Sequence, residues 1–205
     1  MSTESNPDDD FAETAEEDLQ QRLMRATPEF TTRGFMFAAT LKAVEELGGD
    51  EAAVRRCLEA AGEKSFMDFY HYPTRSLLLL FLAASEALGP RHGGVEGVVR
   101  QISMRCADSY LDTVVGRAAL QHTGALPQRF TLALQTLYNA ATKYADPEVS
   151  FPTSNRSVLS LRSALLPRVY HEGATARMAE RMGLVLVRVR ARKTGPLSID
   201  LEVSW

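Results

Sequence analysis

The four histidines, His71, His92, His122 and His171, are the first residues to weigh for metal chemistry. None has a second histidine at i+3 or i+4, and none lies near a cysteine, so zinc-ligand spacing is absent. His171-Glu172 lacks the second histidine of a zinc-protease helix. Cys57 and Cys106 are 49 positions apart, have apolar neighbours and form no Cys-x-x-Cys. They read as two buried free thiols in a reducing compartment. No Gly-x-Ser-x-Gly occurs, and neither cysteine has the basic, exposed setting that favours thiolate. His171 and Glu172 could act as base and acid, but neighbours on a helix point about 100° apart. The expectation is a protein that is not an enzyme and holds no metal.

Two segments could instead bind a ligand. Gly89-Pro90-Arg91-His92-Gly93-Gly94 precedes a helix and could offer backbone N–H groups to an anion, or serve only as a turn. The predicted helix Pro167–Met182 has Gly173 in its interior, at a cost of about 1 kcal/mol relative to alanine. A glycine there implies close approach by a strand, a helix or a ligand. Tyr170, His171 and Arg177 beside it add polar reach. From Arg156 to Lys193 there are nine bases and two acids, Glu172 and Glu180. The arginines alternate along strands rather than cluster on a helix, which disfavours nucleic acid and leaves anion or nucleotide binding as the weaker alternative.

The net charge of −3 hides an asymmetry. Residues 1–20 hold eight acids and no bases, so the rest carries 18 acids against 23 bases. That opening segment is unlike a basic secretory leader. The longest wholly apolar run, Leu77–Ala84, is eight residues, whereas a membrane span needs about 20. A cytoplasmic location follows as the expectation.

These side chains need elements to position them. Residues 1–30 read as an acidic tail, disordered over 1–10 and weakly helical from Phe11 to Arg25 with Asp10 as cap and Leu19 and Leu23 on one side. The segment around Phe11–Met24 is expected either to dock intermittently on the basic C-terminal half as an amphipathic helix or to be a free solubilising tail. A single domain should span 31–205. Its helices run from Gly34 to Leu47, from a cap at Asp50 to Gly62, from Pro73 through Leu88, from Gly94 past Gly116 to about His122, and from Pro127 to about Lys143. The helix after Pro73 is apolar on all sides and must lie centrally or in an oligomer contact. The period then changes to two. Strands are predicted at Glu148–Phe151, Val158–Arg162, Leu184–Arg192 and Leu197–Trp205, with the Pro167–Met182 helix between the pairs. The fold class is α+β: an N-terminal helical layer on a C-terminal four-stranded antiparallel sheet, β-β-α-β-β.

Five short motifs in fixed order then carry a likeness. They are Arg33-Gly34-Phe35-Met36-Phe37, Phe69-Tyr70-His71-Tyr72-Pro73, Tyr110-Leu111-Asp112-Thr113-Val114-Val115-Gly116-Arg117, Tyr170-His171-Glu172-Gly173 and Ser204-Trp205. From Arg33 to Trp205 the chain resembles a family of proteins of unknown function expanded in myxobacteria. In element order that family is similar to the superfamily of heme nitric-oxide-binding domains, vinyl-4-reductase-like domains and Golgi-transport adaptor subunits. The resemblance implies a helical layer on an antiparallel sheet, small apolar ligands or heme, and frequent dimers. Heme binding there uses a histidine and a later Tyr-x-Ser-x-Arg. Here Val158-Leu159-Ser160-Leu161-Arg162 has Val158 in the tyrosine position, and no histidine lies between His122 and it. The expectation is therefore no cofactor, heme included.

The sequence thus points to a sensor or adaptor domain in signalling that holds a small apolar ligand, a protein partner, or both. The alternative is a structural homodimeric interaction module. Candidate ligand-binding residues are Tyr170, His171, Gly173, Arg177 and Arg162.

Overall fold

The computed structural model describes residues 14–184 and 186–205. The acidic opening residues, the cap expected at Asp10, Phe11 and Val185 lie outside them. α1 (Ala15–Arg25) is capped by Thr14, whose side chain accepts the Glu17 N–H while Glu17 returns a bond to the Thr14 N–H. α1 belongs to the packed body. Leu19 and Arg22 are fully enclosed, and the helix lies against α4, α5 and α8. Residues 15–25 of the segment expected as a weakly helical tail are thus a helix packed on the body. The apolar stripe is thin because Asp18 and Arg22, paired with each other, fill core positions.

β1 (Thr31–Arg33) leads into α2 (Gly34–Glu46) and α3 (Glu51–Ala61). The aromatic stretch that follows ends in β2 (His71–Pro73), which pairs antiparallel with β1. It is anchored by Phe66, stacked on Phe37 with centroids 4.4 Å apart and edge-on to Tyr72 at 5.0 Å. α4 (Thr74–His92) is the central helix. Leu77, Leu78, Leu80, Phe81, Ala84 and Leu88 are fully buried within this chain, while Leu79 and Leu82 are half-buried. α4 runs past Pro90, where the sequence suggested a stop. The missing proline N–H frees only the carbonyl of Glu86, an exposed residue, and Gly93 at φ +79° ends the helix.

α5 (Gly94–Leu111) stops earlier than expected. Thr113 accepts the Gly116 N–H at 3.0 Å and starts α6 (Val114–Thr123) in a new direction. α7 (Pro127–Ala141) then covers the sheet.

The sheet is antiparallel in the order β3-β4-β6-β5, from β3 (Pro147–Thr153), β4 (Arg156–Leu161), β5 (Arg188–Gly195) and β6 (Ser198–Ser204). Leu159, Leu161, Ile199, Leu201 and Val203 are buried beneath α7 and α8 (Arg168–Arg181). The outer face sets Arg190 opposite Glu202 and Arg192 opposite Asp200. β5 begins at Arg188 rather than Leu184: Gly183 takes φ +74° past the end of α8, and the Leu184 N–H bonds back to the Ala179 carbonyl. No helix among the described residues is long and apolar enough to cross a membrane.

The close approach at Gly173 is to α5. A Cβ there would meet Ser103 Oγ at 2.3 Å and the Arg100 carbonyl oxygen at 3.2 Å. Gly173→Ala is expected to lower unfolding stability by about 1–3 kcal/mol in urea titration, the range for overpacking. Adding Ser103→Ala removes the first atom met and should return part of that loss. Additive losses in the double variant would refute the contact.

Candidate functional site

Four helices converge on a small cavity of about 60 Å³. α2 contributes Phe35 and Met36, and α5 contributes Cys106 and Tyr110. α7 contributes Leu134, Leu137 and Tyr138, while α8 contributes Tyr170, Ala174 and Met178. Leu166, in the segment joining β4 to α8, closes one side. These positions recur at three, four and seven residues, so the stripes that build the core also build the cavity.

The polar atoms in this wall mostly face one another. Tyr138 OH donates to His171 Nδ1 at 2.6 Å, and His171 Nε2–H donates to the Leu166 carbonyl at 3.1 Å. The carbonyl can only accept, so it fixes the tautomer. The Cys106 thiol lies 3.6 Å from Thr40 Oγ1 and also bonds the Tyr170 hydroxyl. Tyr170 stacks on Phe81 with centroids 5.5 Å apart.

Burial pushes the Cys106 thiol up to about 11 and the hydroxyls of Tyr138 and Tyr170 well above the usual range. It pushes His171 down to about 3, helped by the positive charge of Arg22. The wall is therefore uncharged at neutral pH. It holds no thiolate and no imidazolium.

The sequence candidates separate. Tyr170 lines the cavity. His171 stands behind the wall, with both ring nitrogens engaged. Gly173 faces α5. Arg177 lies at the surface, where its Nε reaches the two Asp108 oxygens at 3.0 and 3.1 Å. Arg162 is exposed beyond β4 and pairs with Glu148 at 2.7 Å. Sequence reading missed Cys106, Tyr138 and Met178 as cavity wall. The one available signal was tyrosine recurring on buried helical stripes.

Heme does not fit this arrangement. No histidine lines the cavity: His171 is committed, His71 approaches Thr31, His92 bonds near the end of α4, and His122 is exposed. Ser160 donates to Asp200, so this serine and Arg162 are engaged outside the cavity. The volume is also far below the roughly 300 Å³ at which cofactor-sized pockets begin.

Comparison with known proteins fits this geometry. The family described as "Protein of unknown function (DUF2378)" matches residues 25–205, and the chain belongs to that family. No curated protein matches. Among solved structures the chain is similar to an unliganded Fe(II) H-NOX protein variant from K. algicida, with a TM-score of 0.61, 12% identity and coverage of 84% of this chain and 95% of that one. A structure on heme distortion in the H-NOX family gives 0.65, 10%, 84% and 94%. A mutant H-NOX from T. tengcongensis gives 0.56, 13%, 84% and 96%. At these identities the likeness is one of fold.

The neutral His171 sets a pH dependence. In the unfolded chain it protonates below its ordinary 6.5, while in the folded chain it stays neutral down to about 3. Its contribution is thus whole above 6.5 and is lost as the pH falls toward 3. Urea titrations of wild type and His171→Gln should show the wild-type advantage shrinking between pH 7 and pH 4. A difference independent of pH would contradict a buried neutral histidine.

Proposed function

We propose that this chain, as a member of that family, is a non-enzymatic sensor domain that takes a small apolar ligand in the cavity between α2, α5, α7 and α8, without heme. The observation that carries this reading is the cavity itself: a largely apolar space in which the polar atoms of Tyr138 and Cys106 already have partners, and only Tyr110 and Thr175 add hydroxyls without one. A polar ligand would find few free groups to replace its lost water, whereas an apolar one loses nothing. Of the candidate residues, Tyr170 contacts the ligand, His171 fixes the Tyr138 wall, and Gly173 lets α8 approach α5. Arg177 and Arg162 act outside the site.

The same groups support a non-enzymatic role. Both thiols are pushed up to about 11, and His171 has no free nitrogen to serve as a base. The buried free thiols of Cys57 and Cys106 suit a reducing cytoplasm. The sensor's output is to a protein partner. The homodimer reading gains little from α4, whose apolar surface is mostly buried within the chain and only half-exposed at Leu79 and Leu82.

Xenon, a small apolar probe, tests the reading. Titration followed by xenon NMR should show one saturable site in the wild type. Ala174→Leu, which fills the cavity, should weaken that site at least about tenfold, since a probe of this size loses most of its contacts when its space is taken. Saturable binding that survives Ala174→Leu, or no binding to the wild type, would overturn the assignment.

A further inference from the structure

We propose that α1 is a latch on this cavity, and that an apolar ligand too large for the cavity as it stands binds by releasing it. The inference rests on the cavity being the ligand site. α1 ends at Arg25, so it lies ahead of the residues 25–205 that match the family. α1 packs on α4, α5 and α8, and Arg75 of α4 donates to its Leu23 carbonyl at 2.6 Å, while its buried polar contacts reach the segment that joins β4 to α8. Arg22 Nε donates to Asp18 Oδ1 at 2.8 Å, and Arg22 Nη1 donates to the Ala164 carbonyl. Asp18 Oδ2 accepts the Arg168 N–H at 3.1 Å, and Lys193 Nζ lies 3.5 Å from Oδ1. One ion pair on α1 thus grips both ends of the stretch Ala164–Arg168.

Leu166 sits between those two grips. Its side chain is cavity wall and its carbonyl accepts from His171. While Ala164 and Arg168 are held, Leu166 cannot retreat. The space of about 60 Å³ admits a single large atom but not an aromatic ring. The grip is also imperfect. Arg22 is fully enclosed, yet its Nη2 has no hydrogen-bond partner. A buried cationic N–H without an acceptor is costly and regains water on release. α1 is therefore bound by apolar packing and an ion pair, but against a standing penalty. A ligand that prefers the released state shifts the population toward it, and release raises the affinity for that ligand by the same factor.

Benzene and xenon separate the two states in the full chain. Benzene should speed amide exchange over residues 15–25 by about fivefold or more, the lower end of ordinary coupling, while xenon leaves it unchanged. Asp18→Asn keeps the side-chain shape but strands the charge of Arg22. It should speed α1 exchange without ligand and tighten benzene binding by about fivefold, with xenon affinity unaltered. Benzene bound with α1 exchange unchanged, or an unchanged benzene affinity in Asp18→Asn, overturns the latch and leaves the cavity reading standing. If neither probe binds, the cavity reading falls and the latch with it.

Discussion

At Gly173 the backbone of α8 comes against Ser103 and Arg100 of α5 with no room for a side chain. This contact sets the height of α8 above the helical layer. With the backbone that close, Arg177 can reach Asp108, and Arg181 reaches Asp108 and Asp112, along the outer seam. On the inner side Tyr170, Ala174 and Met178 turn toward α5 and α7 and leave a small apolar space between them. The C-terminal part of the sheet depends on the same placement: Glu172 on α8 accepts the Ala191 N–H of β5, the edge strand. A side chain at position 173 would disturb seam, cavity and sheet edge together.

The site follows from what this packing leaves uncharged. A buried histidine beside a buried arginine is driven neutral, and the tyrosine and carbonyl around it take up both of its nitrogens. Such an imidazole is a structural strut. It cannot also serve as an axial ligand without giving up one of those bonds. The fold is that of the H-NOX structures, but the side chains on the cavity wall here are mostly apolar, and Tyr138 and Cys106 among the polar ones are already paired. A shared backbone therefore says little about what is bound, because binding is set by the groups that face the space.

Much of the architecture was legible in the residues. The change from a 3.6-residue to a two-residue period marked the β-β-α-β-β order, and Gly173 in a helix interior signalled the close approach that the structure places at α5. The all-apolar helix after Pro73 announced a central α4. Other features left little local signal. α1 shows a thin stripe because a paired Asp18 and Arg22 stand where apolar residues would be expected, and pairing is a tertiary fact. The strands β1 and β2 are three residues each, too short for alternation to show. Arg162 and Arg177 looked like site residues because a sequence cannot reveal that Glu148 and Asp108 hold them elsewhere. The cavity was invisible for a simpler reason. A residue lining a void and a residue filling one lie on the same helical stripe.

Diffraction from a crystal pressurised with xenon tests the central claim most directly. The account predicts one strong anomalous peak bounded by Tyr170, Leu134 and Met178, with no tetrapyrrole density in the same space. An empty cavity under pressure, or iron and porphyrin density among those side chains in the purified protein, would contradict it.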